Sequence, residues 1–251
     1  MKIVILTALG VGFATVFGSF IGFILKKISH KFNDIVLSFA AGIMLAAAVL
    51  GLIIPAMESI NGIGGLSIVI LGVLCGAVFL SVMDKVVPHL HNLAGTDVEK
   101  HENIQNLNRV ILFVFAIGIH NLPEGIAAGV SFGTGNIADA ITVASGIALQ
   151  NIPEGMVIIA PMLNAGIKKK RAFVIALCTG LVEVVGTMLG YFVVSVSMAI
   201  LPFALAFAGG TMLYVISDEM IPETHSHGFE KSATFSLLIG LCIMLIMDFL
   251  L

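Results

Sequence analysis

The chain has 251 residues, of which 59% are hydrophobic and only 11% are charged, whereas soluble domains contain about 25% charged residues. The mean hydropathy of +1.12 excludes a soluble globular protein and predicts an integral membrane protein. The net charge of −3 excludes a nucleic-acid binder, because such proteins present a basic face to phosphates. Three dispersed cysteines without Cys-x-x-Cys spacing predict buried free thiols rather than disulfides or a thiolate metal site.

Apolar segments long enough to cross a bilayer recur along the whole chain. A bilayer core requires about 20 apolar residues in a helix. Eight segments meet this requirement: Ile3–Leu25, Ile35–Met57, Gly62–Met83, Val110–Phe132, Ala138–Leu163, Ala172–Ser197, Ala199–Ser217 and Ala233–Leu251. The first is too long for a signal peptide, so we expect it to be retained. The sequence predicts an all-α integral membrane bundle of eight transmembrane helices, with residues 1–251 forming one transmembrane domain.

The basic residues predict how the chain is oriented. The first, third, fifth and seventh loops between the predicted spans contain every Lys and Arg except Lys2. Because loops rich in Lys and Arg remain in the cytoplasm, both termini are predicted to lie outside the cell (inner or plasma) membrane. The cytoplasmic loop of about 84–109 is polar and contains His89, His91 and His101. Its HENIQ segment resembles half of HExxH without the second His, which argues against a zinc protease.

Polar side chains interrupt the fourth and fifth predicted spans in two related motifs. HNLPEG covers residues 120–125, and QNIPEG covers residues 150–155. A carboxylate at the bilayer centre costs at least about 2.5–3.5 kcal/mol, and Glu124, Glu154 and Glu183 all fall near the middle of predicted spans. No Lys or Arg lies within a predicted span. We therefore predict that protons or metal ions supply the positive charge.

The spacing within each motif places its polar side chains on one helix face. His120 and Glu124 are four residues apart, and Asn121 and Glu124 are three apart, so the three are neighbours on a helix. The second motif repeats the arrangement with Gln150, Asn151 and Glu154.

Two further features add to the predicted site. The prolines of the motifs, Pro123 and Pro153, each release a backbone carbonyl one turn earlier, and in hydrocarbon such a carbonyl must bind water, an ion or another internal donor. Glu183, in the sixth predicted span, shares its helix face with three glycines: Gly180, Gly186 and Gly190. It is therefore expected to face a closely packed helix rather than lipid.

The predicted donors comprise one His, three Glu, two Asn and one Gln. Carboxylate and imidazole suit Zn²⁺, Fe²⁺ and Mn²⁺, and the absence of Cys from these predicted donors argues against Cu⁺. Two alternatives stay open at this point. Glu183 could be a protonated group that bonds helix to helix, and Met44 in the second predicted span could either offer a thioether or simply pack.

A second polar group is predicted to follow the seventh span on the cytoplasmic side. It consists of Asp218, Glu219, Glu223, His225 and His227. A metal exit or sensing site and a simple polar cap are equally compatible with these residues.

These features together resemble the ZIP (Zrt-, Irt-like) family of divalent-metal transporters, in its prokaryotic branch. The resemblance covers essentially the whole chain. It rests on the eight spans, the outside termini, the His-containing third loop, HNLPEG, QNIPEG, GLVEVVG in the sixth span and DEMIPETHSHG after the seventh.

The resemblance implies uptake of Zn²⁺, and in some members Fe²⁺, Mn²⁺ or Cd²⁺, into the cytoplasm without ATP. It implies an inverted repeat that relates helices 1–3 to helices 6–8 around helices 4 and 5. It also implies an elevator motion of helices one, four, five and six, and the homodimers that are common in the family. The family's metal centre can be binuclear. By analogy, one ion would be bound by His120, Glu124, Gln150 and Glu154, with Met44 nearby, and a second by Asn121, Glu124, Asn151, Glu154 and Glu183.

The sequence departs from the family pattern at two of these positions. Gln150 stands where many members carry His, and Asn151 stands where some relatives carry an acidic residue. An amide binds Zn²⁺ less well than imidazole or carboxylate, so we expect a weaker second ion and a broader metal selectivity.

Two other functions compete with a carrier. A metal-selective channel would use the same residues, and saturation and temperature dependence of the flux would separate it from a carrier. An intramembrane metalloenzyme would need HExxH or a nucleophile with a base. Neither is present, so the chain is predicted not to be an enzyme.

Overall fold

The computed structural model describes residues 1–25, 29–86, 120–164 and 166–250. Regular structure within these ranges is entirely helical. This is the expected outcome for an apolar chain, because a helix satisfies its backbone hydrogen bonds internally, without water.

We number the helices in chain order as α1 to α8. The first three are α1 (Lys2–Leu25), α2 (His30–Glu58) and α3 (Gly62–Val86). The others are α4 (residues 120–131 of the described range), α5 (Ile137–Val157, continued by Ile159–Asn164), α6 (Lys169–Val196), α7 (Met198–Thr224) and α8 (Glu230–Leu250).

Six of these helices, α1, α2, α3, α6, α7 and α8, are long and apolar enough to cross a membrane. They correspond to six of the eight predicted spans. The fifth predicted span is helical as α5, but it is not among the six. Part of the fourth predicted span lies outside the described residues, as does most of the 84–109 loop with its histidines. The all-helical architecture is confirmed, and the count of eight spans stays a prediction.

The predicted end of the seventh span at Ser217 is wrong. The helix continues through a π-helical segment, Ile216–Met220, and ends at Thr224. Pro222 follows the π segment at the start of the last turn, where a missing N–H is tolerated. The acidic residues Asp218, Glu219 and Glu223 therefore belong to α7 rather than to a loop after it. Helix α2 has the same construction, with a π segment at Val49–Ile53 followed by Pro55.

The glycine that ends each motif brings two helices into backbone contact. Gly125 of α4 lies against the backbone of Glu183 in α6, and Gly155 of α5 lies against the backbone of Thr15 in α1. A Cβ at either glycine would overlap the carbonyl oxygen of the facing residue. Small residues permit this close approach in membranes. As a result, α4 is fixed against α6 and α5 against α1, and the expectation that Glu183 faces a packed helix is confirmed.

The remaining helices pack in pairs around this group. Helix α3 packs on α7, α2 packs on α8, and α1 contacts both α5 and α6. Helix α2 also packs on α5, so it joins the two sets of helices.

The cysteines differ from their prediction. Cys75, Cys178 and Cys242 are all exposed on the outer faces of α3, α6 and α8. The prediction of buried thiols is wrong because an outward position in a membrane helix faces lipid tails, which are as apolar as a protein core.

Candidate metal centre

Helices α1, α2, α4, α5 and α7 line a cavity of about 180 Å³. The volume accommodates several groups the size of water, since one water occupies about 30 Å³ of liquid. Apolar side chains such as Leu37 and Val215 form part of the wall. The polar lining residues are Thr15, His120, Asn121, Glu124, Glu154, Glu219 and Glu223.

Glu124 is the most deeply buried carboxylate of this cavity, with 1% of its surface exposed. Its Oε1 accepts a hydrogen bond of 2.8 Å from Nε2 of Gln150, which is itself fully buried. Among the described residues, Glu124 Oε2 and Gln150 Oε1 have no hydrogen-bond partner. Buried oxygens without partners are costly. The two side chains therefore present oxygen acceptors for which a cation is a suitable partner.

Glu183 is also fully buried, but its carboxylate is fully engaged. Thr15 Oγ1 donates to Oε1 over 2.5 Å, and Asn121 Nδ2 donates to the same oxygen. Asn151 Nδ2 donates to Oε2 over 2.6 Å. The donors come from α1, α4 and α5, so Glu183 joins these three helices to its own helix α6.

Asn121 and Asn151 are oriented by these hydrogen bonds. Each directs its amide nitrogen toward Glu183. In the described part of the chain, Asn151 Oδ1 has no hydrogen-bond partner. It is the second amide oxygen, after that of Gln150, that is available to a cation.

His120 contacts a residue that the sequence did not place in the site. Its Nε2 lies 2.8 Å from Oε1 of Glu219 in α7. Glu154, which is partly exposed, lies within electrostatic range of both His120 and Glu219. The imidazole and two carboxylates thus come from α4, α5 and α7.

The structure brings together most of the predicted residues. His120, Asn121, Glu124 and Glu154 line the cavity, whereas Gln150, Asn151 and Glu183 are joined to them or to each other by hydrogen bonds. Met44 does not take part. It is 1% exposed and packs in the hydrophobic core, outside the set of cavity-lining residues, which favours its packing alternative.

The sequence analysis missed Thr15, Glu219 and Glu223 as lining residues. A signal for Glu223 was present in the sequence. Ile-Pro-Glu occurs in the fifth span at residues 152–154 and again at residues 221–223. Thr15 carries no comparable signal, because a lone Thr in an apolar helix usually bonds its own backbone.

The acidic groups do not already form a complete coordination sphere. Within the described ranges, no three His, Cys, Asp or Glu side chains are grouped closely enough to bind one ion. The carboxylates are instead engaged with amide, hydroxyl and imidazole groups. An ion that enters would have to replace some of these contacts.

An α-helical membrane bundle with buried acidic, amide and imidazole groups around an internal cavity belongs to the class of ion-translocating membrane proteins. Comparison with known families is consistent with that class. Residues 95–248 match the family model described as ZIP Zinc transporter. The chain is a member of the ZIP family, in its prokaryotic branch.

Similar proteins extend over nearly the whole chain. The Zinc transporter GufA of Myxococcus xanthus is 41% identical, with 94% of each chain covered. The Zinc transporter ZIPB of Bordetella bronchiseptica is 37% identical over 94% of this chain and 77% of its own length. The human Zinc transporter ZIP11 is 29% identical, with 93% of each chain covered. Members of this family are multi-pass membrane transporters and not enzymes, so the enzyme alternative is rejected.

Proposed function

We propose that the chain carries Zn²⁺ and related divalent ions, among them Fe²⁺, Mn²⁺ or Cd²⁺, into the cytoplasm through the cavity between α4, α5 and α7. The observation that carries this proposal is the Glu124–Gln150 pair. It presents two buried oxygens without partners among the described residues, beside His120 and Glu154. The family membership and the printed names of the relatives support zinc as the first substrate to test.

The proposed first coordination site consists of Glu124, Gln150, Glu154 and His120. Carboxylate and imidazole are the donors that Zn²⁺ prefers, and the amide oxygen of Gln150 is a weaker ligand. To bind the ion through Nε2, His120 would have to break its contact with Glu219. That contact can form only while α4 and α7 lie next to each other as they do in this structure. Ion entry and release are thereby coupled to the contact between these two helices.

A second ion is expected to bind more weakly. Its proposed ligands include Glu183, whose two oxygens already accept three hydrogen bonds from Thr15, Asn121 and Asn151. A cation could reach Glu183 only by displacing donors that also join α1, α4, α5 and α6. We therefore propose that the transported ion binds tightly at the first site and that a binuclear centre forms only at high metal concentration.

The proposed topology follows from the basic residues. Loops with Lys and Arg lie in the cytoplasm, which places both termini outside the cell membrane. The whole of residues 1–251 acts as one transport domain, with the 84–109 loop on the cytoplasmic side.

The proposed inverted repeat is supported by how the helices pair. An inverted repeat would make α1, α2 and α3 equivalent to α6, α7 and α8. Under this equivalence the packing of α3 on α7 corresponds to the packing of α8 on α2, and both are observed. The same equivalence relates the motif contacts, because Gly125 joins α4 to α6 as Gly155 joins α5 to α1. The π segments followed by proline in α2 and α7 occupy equivalent positions.

These pairings also support an elevator mechanism. Helices α1, α4, α5 and α6 are joined by the Glu183 hydrogen bonds and the two glycine contacts, so they would move as one body. Helices α2, α3, α7 and α8 would form the fixed part, and through it homodimers would assemble. The cavity lies between the two parts, with His120 on the moving side and Glu219 on the fixed side.

Metal influx into proteoliposomes that contain a metal-sensitive dye tests the proposal. Zn²⁺, Fe²⁺, Mn²⁺, Cd²⁺ and Mg²⁺ are compared for the unmodified chain, His120→Ala and Glu154→Ala. The matched control is Asp139→Asn, which removes an exposed carboxylate from the first turn of α5. We expect saturable influx of transition metals that both site variants abolish and the control retains.

Two results would contradict the proposal. Influx that survives both site variants would show that the paired motifs are structural. Influx that does not saturate and depends only weakly on temperature would indicate a channel in place of a carrier.

A further inference from the structure

A second group of polar residues, none of which lines the cavity, lies where the α7–α8 connection meets the start of α2. Asp34 of α2 is fully buried, and its Oδ1 lies 3.0 Å from Nδ1 of His227 in that connection. The imidazole of His30 stacks on that of His227, with ring centroids 4.5 Å apart and planes inclined by 27°. These contacts join two parts of the chain that are 193 residues apart.

The hydrogen bond to Asp34 determines which nitrogen of His227 remains available. A carboxylate accepts hydrogen bonds, so Nδ1 of His227 carries the proton. Nε2 is then the nitrogen with the lone pair, and the side chain is 27% exposed. The Oγ atom of Ser226 lies 3.4 Å from this Nε2. A carboxylate that orients an imidazole in this way is the usual support for a metal-binding His.

Two buried oxygens in this region are available as acceptors. In the part of the chain that the structure describes, Asp34 Oδ2 and Ser38 Oγ have no hydrogen-bond partner. His30, Asp34 and Ser38 follow each other at intervals of four residues, so they share one face of α2. Lys31 extends instead over the ring of Phe229, 6.0 Å from its centroid.

We propose that His227 and His30 form a two-imidazole site for a divalent transition-metal ion, with Asp34 as the residue that orients His227. Two imidazole nitrogens bound to one tetrahedral zinc ion lie about 3.4 Å apart, and the two ring centroids are 4.5 Å apart, so a change of one side-chain rotamer can bring a nitrogen of each ring to a shared ion. A rotation of the exposed His30 side chain completes the pair, and water fills the remaining positions. None of these three residues lines the intramembrane cavity, and the proposal does not depend on the proposed transport route.

The test measures metal binding to the full-length chain in a background that lacks the other candidate ligands. His89, His91 and His101 are replaced by Asn and His120 by Ala, which leaves His30, His225 and His227. Zn²⁺ stoichiometry is measured by equilibrium dialysis, and Cu²⁺ is used as an electron paramagnetic resonance probe that counts coordinating nitrogens. His30→Asn is the decisive variant, because it leaves the Asp34–His227 hydrogen bond intact. His225→Asn is the matched control from the same connection, since His225 bonds Thr234 and the Ile221 carbonyl instead.

We expect His30→Asn and His227→Asn each to remove one Zn²⁺ ion per chain and one nitrogen from the Cu²⁺ spectrum, while His225→Asn changes neither. Asp34→Asn should weaken Zn²⁺ binding about 10- to 100-fold, the usual effect of losing an orienting partner. Unchanged stoichiometry and spectrum in His30→Asn would overturn the proposal. So would a His227→Asn chain that unfolds at lower temperature but binds Zn²⁺ like the background, because the pair would then be a structural link only.

Discussion

Glu124 and Glu183 are two buried carboxylates with opposite surroundings. Glu183 receives three hydrogen bonds from three helices, and neither of its oxygens lacks a donor. Glu124 receives one, and its second oxygen has no partner among the described residues. Burial is therefore the same for the two carboxylates, and the balance of hydrogen-bond donors and acceptors around them is what differs.

The largest expected effect concerns Glu124 and function. Glu124→Gln keeps the shape of the side chain and removes the anionic oxygen that faces the cavity. We expect Zn²⁺ influx to fall by about 100-fold or more, since even the loss of an outer partner of a metal ligand costs 10- to 100-fold. Influx assays and thermal unfolding are measured on the same preparation. An influx near that of the unmodified chain would remove Glu124 from the site.

The next effect concerns Glu183 and stability. Glu183→Ala leaves the buried donors on Thr15 and Asn121 without their acceptor, whereas Asn151 Nδ2 retains its 3.4 Å hydrogen bond to the carbonyl oxygen of Val11. Each unsatisfied group costs about 1–3 kcal/mol, so we expect a destabilisation of about 2 kcal/mol or more. Thermal unfolding in detergent, monitored by size-exclusion chromatography, measures it. Glu183→Gln is the control, because it retains an acceptor and should lose less. If Glu183→Ala were as stable as the unmodified chain, the hydrogen bonds to Glu183 would not stabilise the fold, and the contrast with Glu124 would be contradicted.

Acidification is expected to reduce influx through the ligands of the cavity. Metal ligands must be deprotonated to bind, so protons compete with Zn²⁺ at His120, Glu124 and Glu154. We expect influx at subsaturating Zn²⁺ to fall as the pH is lowered from about 8 to about 5.5, a range that includes the ordinary titration of imidazole. Influx that is constant over this range would contradict the proposed ligand set.

A smaller effect concerns the contact between the two parts of the bundle. Glu219→Ala removes the carboxylate that holds His120 at 2.8 Å. A hydrogen bond contributes about 0.5–1.5 kcal/mol net. If the His120–Glu219 contact must break in each cycle, it slows transport in the unmodified chain by roughly two- to tenfold. We therefore expect the maximal rate of Glu219→Ala to exceed that of the unmodified chain by that factor. Stopped-flow influx at saturating Zn²⁺ measures the rate. A lower rate would identify Glu219 as a residue that assists the ion.

The smallest effect is expected for the histidines of the predicted third loop. Replacing His89, His91 and His101 by Asn should change the rate of influx modestly and leave the order of metal preference intact. Competition assays between Zn²⁺, Cd²⁺ and Mn²⁺ measure that order. Loss of all transport would show that the essential site had been misplaced.

The sequence predicted the helical architecture, and it singled out most of the residues that the structure groups around the cavity, for one physical reason. Polar residues in apolar helices are conspicuous, and helical spacing places His120, Asn121 and Glu124 on one face. It could not predict which partner each carboxylate takes, because that depends on helices distant in sequence, such as α1 with Thr15 and α6 with Glu183. It also misplaced the end of α7, because a hydropathy criterion ends a span at the first acidic residues even when they face an internal cavity.

The π segment at Ile216–Met220 has a consequence for insertions and deletions. A π turn accommodates one residue more than an α turn, and one residue corresponds to a rotation of about 100° in an α-helix. The π turn takes up this extra residue, so a chain from which one residue of Ile216–Met220 was deleted could form an α turn there and keep Glu223 in its orientation relative to Tyr214. A one-residue gap at this segment in an alignment with a related sequence would therefore indicate that the relative lacks the π turn, with the same side chains facing His120.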